Sequence, residues 1–262
     1  MMLTELRYIW LLLATNMKAA MTMRAAYLIR AAFGFVIHAI YIVVWFFMFK
    51  AVPSIGGWRV EHFMLSYGIA TAVWGMVAFF TYGLRKLPQQ IERGELDIFL
   101  TQPRSLLVNI ALGETQAGGP AEILFGLILI VWVSLKTATA IPAVLLVTLC
   151  AFVVYCSIIL AWGSLGFWLK EYHQQAEELN YIFFLFATRP AGVFKGWMLP
   201  ITLTIVPVAF MTHIPLEYLV DHKIEALWMT LGGTIASVIA ALTVFRFGLQ
   251  HYESGNKFGV RG

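Results

Sequence analysis

Charge is almost absent from long stretches of this chain. Residues 31–49, 64–84, 121–135, 142–168 and 226–245 are runs of Leu, Ile, Val, Phe, Ala, Met and Trp broken by few polar side chains. About 20 such residues in a helix rising 1.5 Å each match the roughly 30 Å hydrocarbon core of a bilayer. Apolar residues form 60% of the 262 and charged residues 12%, against roughly 45–50% and 25% in soluble domains. A soluble body of this size could not cover so much apolar surface. The runs lack strand alternation, so helices rather than a barrel must satisfy the backbone in lipid.

The runs predict an all-α polytopic membrane protein with six transmembrane helices, an N-terminal amphipathic helix and an outer re-entrant hairpin before the last span. Residues 3–29 interleave Leu, Ile and Trp with Arg7, Asn16, Lys18 and Arg24, a pattern too polar to span and suited to the interface. The first two spans are Ala31–Phe49 and Met64–Leu84. The third is read as one long helix, Leu106–Leu135, kinked at Gly118-Gly119-Pro120. The fourth starts near Pro142 and runs to Trp168. The apolar stretch 181–220 is too long for one crossing and is interrupted by Arg189-Pro190, Pro200, Pro207 and Pro215. It divides into a fifth span at about 177–194 and a re-entrant segment at 197–219, before the sixth span Ala226–Phe245.

Basic residues orient such a chain. With both ends in the cytoplasm, the inside receives Arg7, Lys18, Arg24, Arg30, Arg85, Lys86, Arg93, Arg104, Lys170, Arg246, Lys257 and Arg261. The outside receives Lys50, Arg59, Lys136 and Lys223. The net charge of +4 is therefore read as a topological signal rather than as a nucleic-acid surface. Cys150 and Cys156 lie six apart in one apolar run, on different sides of a helix, and cannot bridge each other.

Motifs for bond chemistry are missing. There is no G-x-x-x-x-G-K-[ST] phosphate loop, no H-E-x-x-H and no paired-cysteine metal motif. Nor does any segment of 20–50 residues repeat. The intramembrane polar residues His38, Glu114, Glu122 and Arg189 are costly in lipid and are candidates for a translocation pathway. Three of them also have a structural reading: a helix–helix hydrogen bond for His38, a cap or ion pair at the inner interface for Glu114, snorkelling for Arg189.

The segment 85–104 stands apart. It is the most charged part of the chain, and Ile91, Leu96, Phe99 and Leu100 give it a partial apolar face. Such a segment suits a short helix lying across the membrane face and docking in a groove, or else a solvated loop. Its pattern Ile91-x-x-Gly94-x-Leu96-Asp97-x-x-Leu100-x-x-Pro103 resembles the coupling segment of type-2 ABC exporter permeases, the compact six-helix kind encoded with a separate ATPase. Two further passages are similar to that family: Arg189-Pro190 with Phe194-x-x-Trp197, and Ile205-Val206-Pro207-Val208-Ala209-Phe210 with Pro215. The N-terminal amphipathic helix resembles the family's connecting helix. Ala191-Gly192 and Lys195-Gly196 depart from it, since related permeases often carry additional prolines there.

The resemblance implies one permease domain over 1–262, coupled through Ile91, Glu92, Arg93, Gly94, Glu95, Leu96, Asp97, Leu100 and Pro103 to ABC ATPase subunits. It implies no cofactor on this chain, with ATP and Mg held by the ATPase. It also implies a second permease subunit, as homodimer or heterodimer, in a bacterial inner (plasma) membrane, exporting a hydrophobic or amphipathic compound. Two other readings use His38, Glu114 and Glu122 instead: a proton-coupled secondary transporter, or an intramembrane enzyme modifying a lipid.

Overall fold

The computed structural model describes residues 2–20, 24–204 and 206–252. Ile205 of the second resembling passage, and Lys257 and Arg261 of the charge count, lie outside the described residues. Among the described residues there is no strand, only an isolated bridge between Ile55 and Trp58. The chain begins with α1 (Met2–Ala20), α2 (Arg24–Ala51) and α3 (Val60–Phe80). Three shorter helices follow, α4 (Tyr82–Glu92), α5 (Leu96–Leu100) and α6 (Leu106–Leu112). The second half holds α7 (Gly119–Thr137), α8 (Ile141–Ser164), α9 (His173–Ala187), α10 (Met198–Leu203), α11 (His213–Leu219) and α12 (Ile224–Leu249).

Five helices are long and apolar enough to cross a membrane: α2, α3, α7, α8 with the short turn after it, and α12. They make this a multi-pass membrane protein. Helix α3 is the hub, with 78% of its most apolar window buried, against 11% for α2 and 17% for α12. Small residues explain this. A methyl group on Gly126 of α7 would stand 2.5 Å from Ala72 N, and one on Gly75 of α3 would stand 2.6 Å from Ile123 N. Glycine thus lets the two backbones touch, the close packing favoured between helices in lipid. Around this pair, Phe63, Ile69, Val73, Val144, Val154, Tyr155 and Phe183 form the fully covered centre.

Helix α2 meets this core along one narrow stripe. Tyr41, Trp45 and Phe49 recur every four residues and stack against Phe63 and Tyr67, with Trp45–Phe63 ring centres 4.6 Å apart and Tyr41–Tyr67 4.8 Å apart. Offset aromatic pairs of this kind add about 0.5–1.5 kcal/mol each beyond area burial. The opposite side of α2, with Phe33, Ile37, Ile40, Val44 and Phe47, is exposed.

Three boundaries differ from the sequence reading. The N-terminal segment read as 3–29 is divided, with α1 ending at Ala20 and Arg24 already in α2. The long kinked third helix is instead two helices, α6 and α7, separated by the non-helical stretch 113–118. Pro120 sits in the first turn of α7, where its missing N–H costs nothing, so it starts a helix rather than bending one. Gln116 N reaches across to Ala78 O at 2.8 Å, anchoring the linker to α3. The 19 residues of α7 reach about 28 Å unaided. Helix α9 spans 15 residues, about 22 Å, and ends at Ala187 rather than near 194.

The end of α9 shows how a chain break is tolerated among packed helices. Ala187 O accepts hydrogen bonds from Ser66 Oγ and Thr212 Oγ1, both at 2.9 Å. These hydroxyls satisfy a carbonyl left without an intrahelical partner where α9 ends, each contributing about 1 kcal/mol. The departure from additional prolines at Ala191-Gly192 also has a structural cause. Gly192 N donates to Gly56 O at 3.1 Å, and a methyl group on Gly192 would stand within 3 Å of the Gly56 backbone. A proline there would lose the donor, and any side chain would collide.

Candidate functional site

The segment 85–104 folds as α4, a tight turn and α5. Gly94 has φ +66, a conformation that side chains resist. Gly94 N donates to Ile91 O at 3.1 Å and Glu95 N to Gln90 O at 2.8 Å. These two bonds form a Schellman motif that closes the C-terminus of α4. The glycine in the Ile91-x-x-Gly94 pattern is thus a helix terminator, and it fixes the angle at which α5 leaves.

The segment is firmly mounted. Leu87 and Leu96 are fully buried, and Pro88 is buried as well. Leu87 and Pro88 rest against Gly163 and Gly166 at the end of α8. Gly83 lies against the Ile110 carbonyl of α6, where no side chain would fit. An ion pair and a hydrogen bond fasten α4 to α9: Lys86 Nζ to Glu177 Oε1 at 3.1 Å, and His173 Nδ1 to Glu92 Oε2 at 2.7 Å. Burial opposes the charge on Lys86, yet the Glu177 carboxylate outweighs it and holds the ammonium above the ordinary lysine range. Arg85 stacks on Trp74, its guanidinium 4.2 Å from the ring centre.

The sequence-derived residues therefore divide. Leu96 is internal, Ile91 packs beside Gly166, Gly94 serves the backbone, and Glu92 is held by His173. Arg93, Leu100 and Pro103 are exposed, while Glu95 and Asp97 are half-buried. Glu95 lies 3.8 Å from Arg93. Ile98, an unspecified position in the motif, is the most exposed apolar side chain of the segment at 62%. It was missed because a five-residue helix with apolar residues on both faces carries no usable period. A cavity of about 520 Å³ adjoins the segment, lined by Ile91, Glu92, the loop Gly166–Glu171, His251 and Tyr252. Trp168 and Leu169 in that loop are exposed, so a second stretch of chain contributes to this surface.

Of the four intramembrane candidates, three are linked. His38 Nδ1 and Tyr67 Oη share a hydrogen bond of 2.7 Å, Tyr67 stacks on Tyr41, and Arg189 Nη1 donates to Tyr41 Oη at 2.9 Å. His38 and Glu122 line the same small cavity of about 60 Å³, together with Gln116 and Gly34. Glu122 Oε2 is buried there without a hydrogen-bond partner. Glu114 is exposed in the α6–α7 linker, where its charge acts on Lys86, and it does not join this group. No cluster of three metal-ligating side chains occurs among the described residues.

These features define a helical, multi-pass membrane protein with a rigid, partly apolar platform at one end of its bundle. The chain belongs to the ABC-2 family of transporter proteins, whose model matches residues 35–256, and it is a type-2 ABC permease. Neither the curated proteins nor the solved structures contain a match to it.

Proposed function

We propose that this chain is the membrane subunit of an ATP-driven exporter and that α4, α5 and the loop Trp168–Glu171 form its docking surface for an ABC ATPase. The observation that carries the reading is the combination of a buried mount with exposed Ile98 and Leu100. A segment that transmits force must be stiff toward the bundle and sticky toward its partner. Arg93, Ile98, Leu100 and Pro103 contact the ATPase in this reading. Ile91, Gly94, Leu96 and the Glu92–His173 pair hold the lever in shape.

In the same reading α9 is the sixth crossing, the re-entrant segment read at 197–219 lies on the outer side, and both termini are cytoplasmic in a bacterial inner membrane. Helix α1 lies at the cytoplasmic interface. ATP and Mg sit on the ATPase, and hydrolysis moves the platform. A second permease subunit, identical or different, completes the pathway for a hydrophobic or amphipathic compound. The exposed face of α2 offers it an apolar surface.

The test is affinity purification of the tagged chain from its native membrane, with partners sequenced by mass spectrometry. A partner carrying a phosphate-binding loop is expected with the unaltered chain and lost with Ile98→Asp/Leu100→Asp. Its retention by that variant argues against the platform. A second reading, proton-coupled transport, is favoured by the His38–Glu122 cavity. Transport that persists without ATP and stops in Glu122→Gln supports that reading instead.

A further inference from the structure

We infer that the groove between α1, α6, α8 and α12 is a binding site for one acyl chain of an anionic phospholipid. Its volume is about 390 Å³, and its walls are formed by Ile9, Leu107, Ala111, Phe152, Val153 and Leu242, among others. The two polar side chains in it are already engaged. Ser157 Oγ donates to Val153 O at 2.8 Å, and Cys156 Sγ lies 3.5 Å from Thr81 Oγ1. Both are committed to neighbours within the bundle and the remaining lining side chains are apolar, so the groove suits a hydrocarbon chain.

The groove is held open as well as apolar. Helix α1 is pinned on both sides of Ile9 to α6 and the linker after it. Tyr8 Oη donates to Asn109 Oδ1 at 3.3 Å, and Asn16 Nδ2 to Leu112 O at 3.1 Å. These polar contacts let α1 bridge across the groove instead of collapsing into it.

Charge at one end of the groove selects the headgroup. Arg246 follows Leu242 by one helical turn on α12 and is exposed. Its guanidinium, beyond Leu242 toward the end of α12, suits a phosphate diester. Basic groups near a lipid surface each favour anionic lipid by about 1 kcal/mol, or about fivefold. With the orientation proposed above, the lipid comes from the inner leaflet. The measurement below is made in detergent and does not depend on that orientation.

The experiment is native mass spectrometry of the full chain in detergent, with dioleoyl phosphatidylglycerol or phosphatidylcholine added at equal concentration. One phosphatidylglycerol retained in preference to phosphatidylcholine is expected. Val153→Trp and Ala111→Phe, on opposite walls, should each abolish the retained lipid. Phe47→Trp, on the far face of α2, should leave it unchanged. Arg246→Gln should keep a bound lipid but lower the preference for phosphatidylglycerol by about fivefold. Full retention by folded Val153→Trp and Ala111→Phe overturns the site. Equal retention of the two lipids by the unaltered chain overturns the headgroup assignment.

Discussion

Helices α2 and α3 are both apolar enough to cross a bilayer, with α2 the more hydrophobic (2.2 against 1.7 mean hydropathy), yet they live in opposite surroundings. Helix α3 is surrounded by protein, whereas α2 touches it along one aromatic stripe. In lipid there is no hydrophobic drive to sort helices, so small residues and interhelical contacts decide who sits inside. Gly68 and Gly75 of α3 meet the backbone of α7, whereas a methyl group on Gly34 of α2 would meet nothing within 4 Å. Glycine alone is therefore not the signal; glycine facing a second small residue is.

The contrast can be broken directly. Gly126→Leu forces a side chain into the Ala72 backbone and should cost at least about 3 kcal/mol, read as aggregation on size-exclusion chromatography. A chain that remains monodisperse with an unchanged melting temperature would show that α3 and α7 are not locked. Leu96→Ala empties a fully buried site beneath the platform and should cost about 3 kcal/mol, measured by thermal unfolding in detergent. The same experiment on Gly94→Ala should show a loss of about 1 kcal/mol from the left-handed backbone. Gly34→Ala should change stability least, raising it by up to about 1 kcal/mol through helix propensity. If Gly34→Ala instead destabilises an assembled form, a partner covers α2 closely at that point.

The residues that made the topology legible were the uninterrupted apolar runs, and they located α2, α3, α8 and α12 well. The sequence reading failed where local signals compete. Pro120 reads equally as a kink or as a helix start, and only the Gln116 contact with α3 decides for the second. The short helix α9 was extended past Ala187 because Phe194 and its neighbours look apolar enough to continue it. In the platform, Gly94 stands out in the sequence pattern, but its structural purpose, a Schellman cap, depends on backbone bonds that spacing cannot reveal. Leu96 and Ile98 differ by two positions, yet one is fully buried and the other is 62% exposed. Composition treats them alike, and tertiary packing alone separates the inward mount from the outward contact.

That separation is the central claim, and site-specific photocrosslinking in native membranes tests it most directly. A photoreactive side chain at position 98 should give an adduct with a chain carrying a phosphate-binding loop, while one at position 47 on the outer face of α2 should not. Adducts to such a chain from position 47 and none from position 98 would contradict the account.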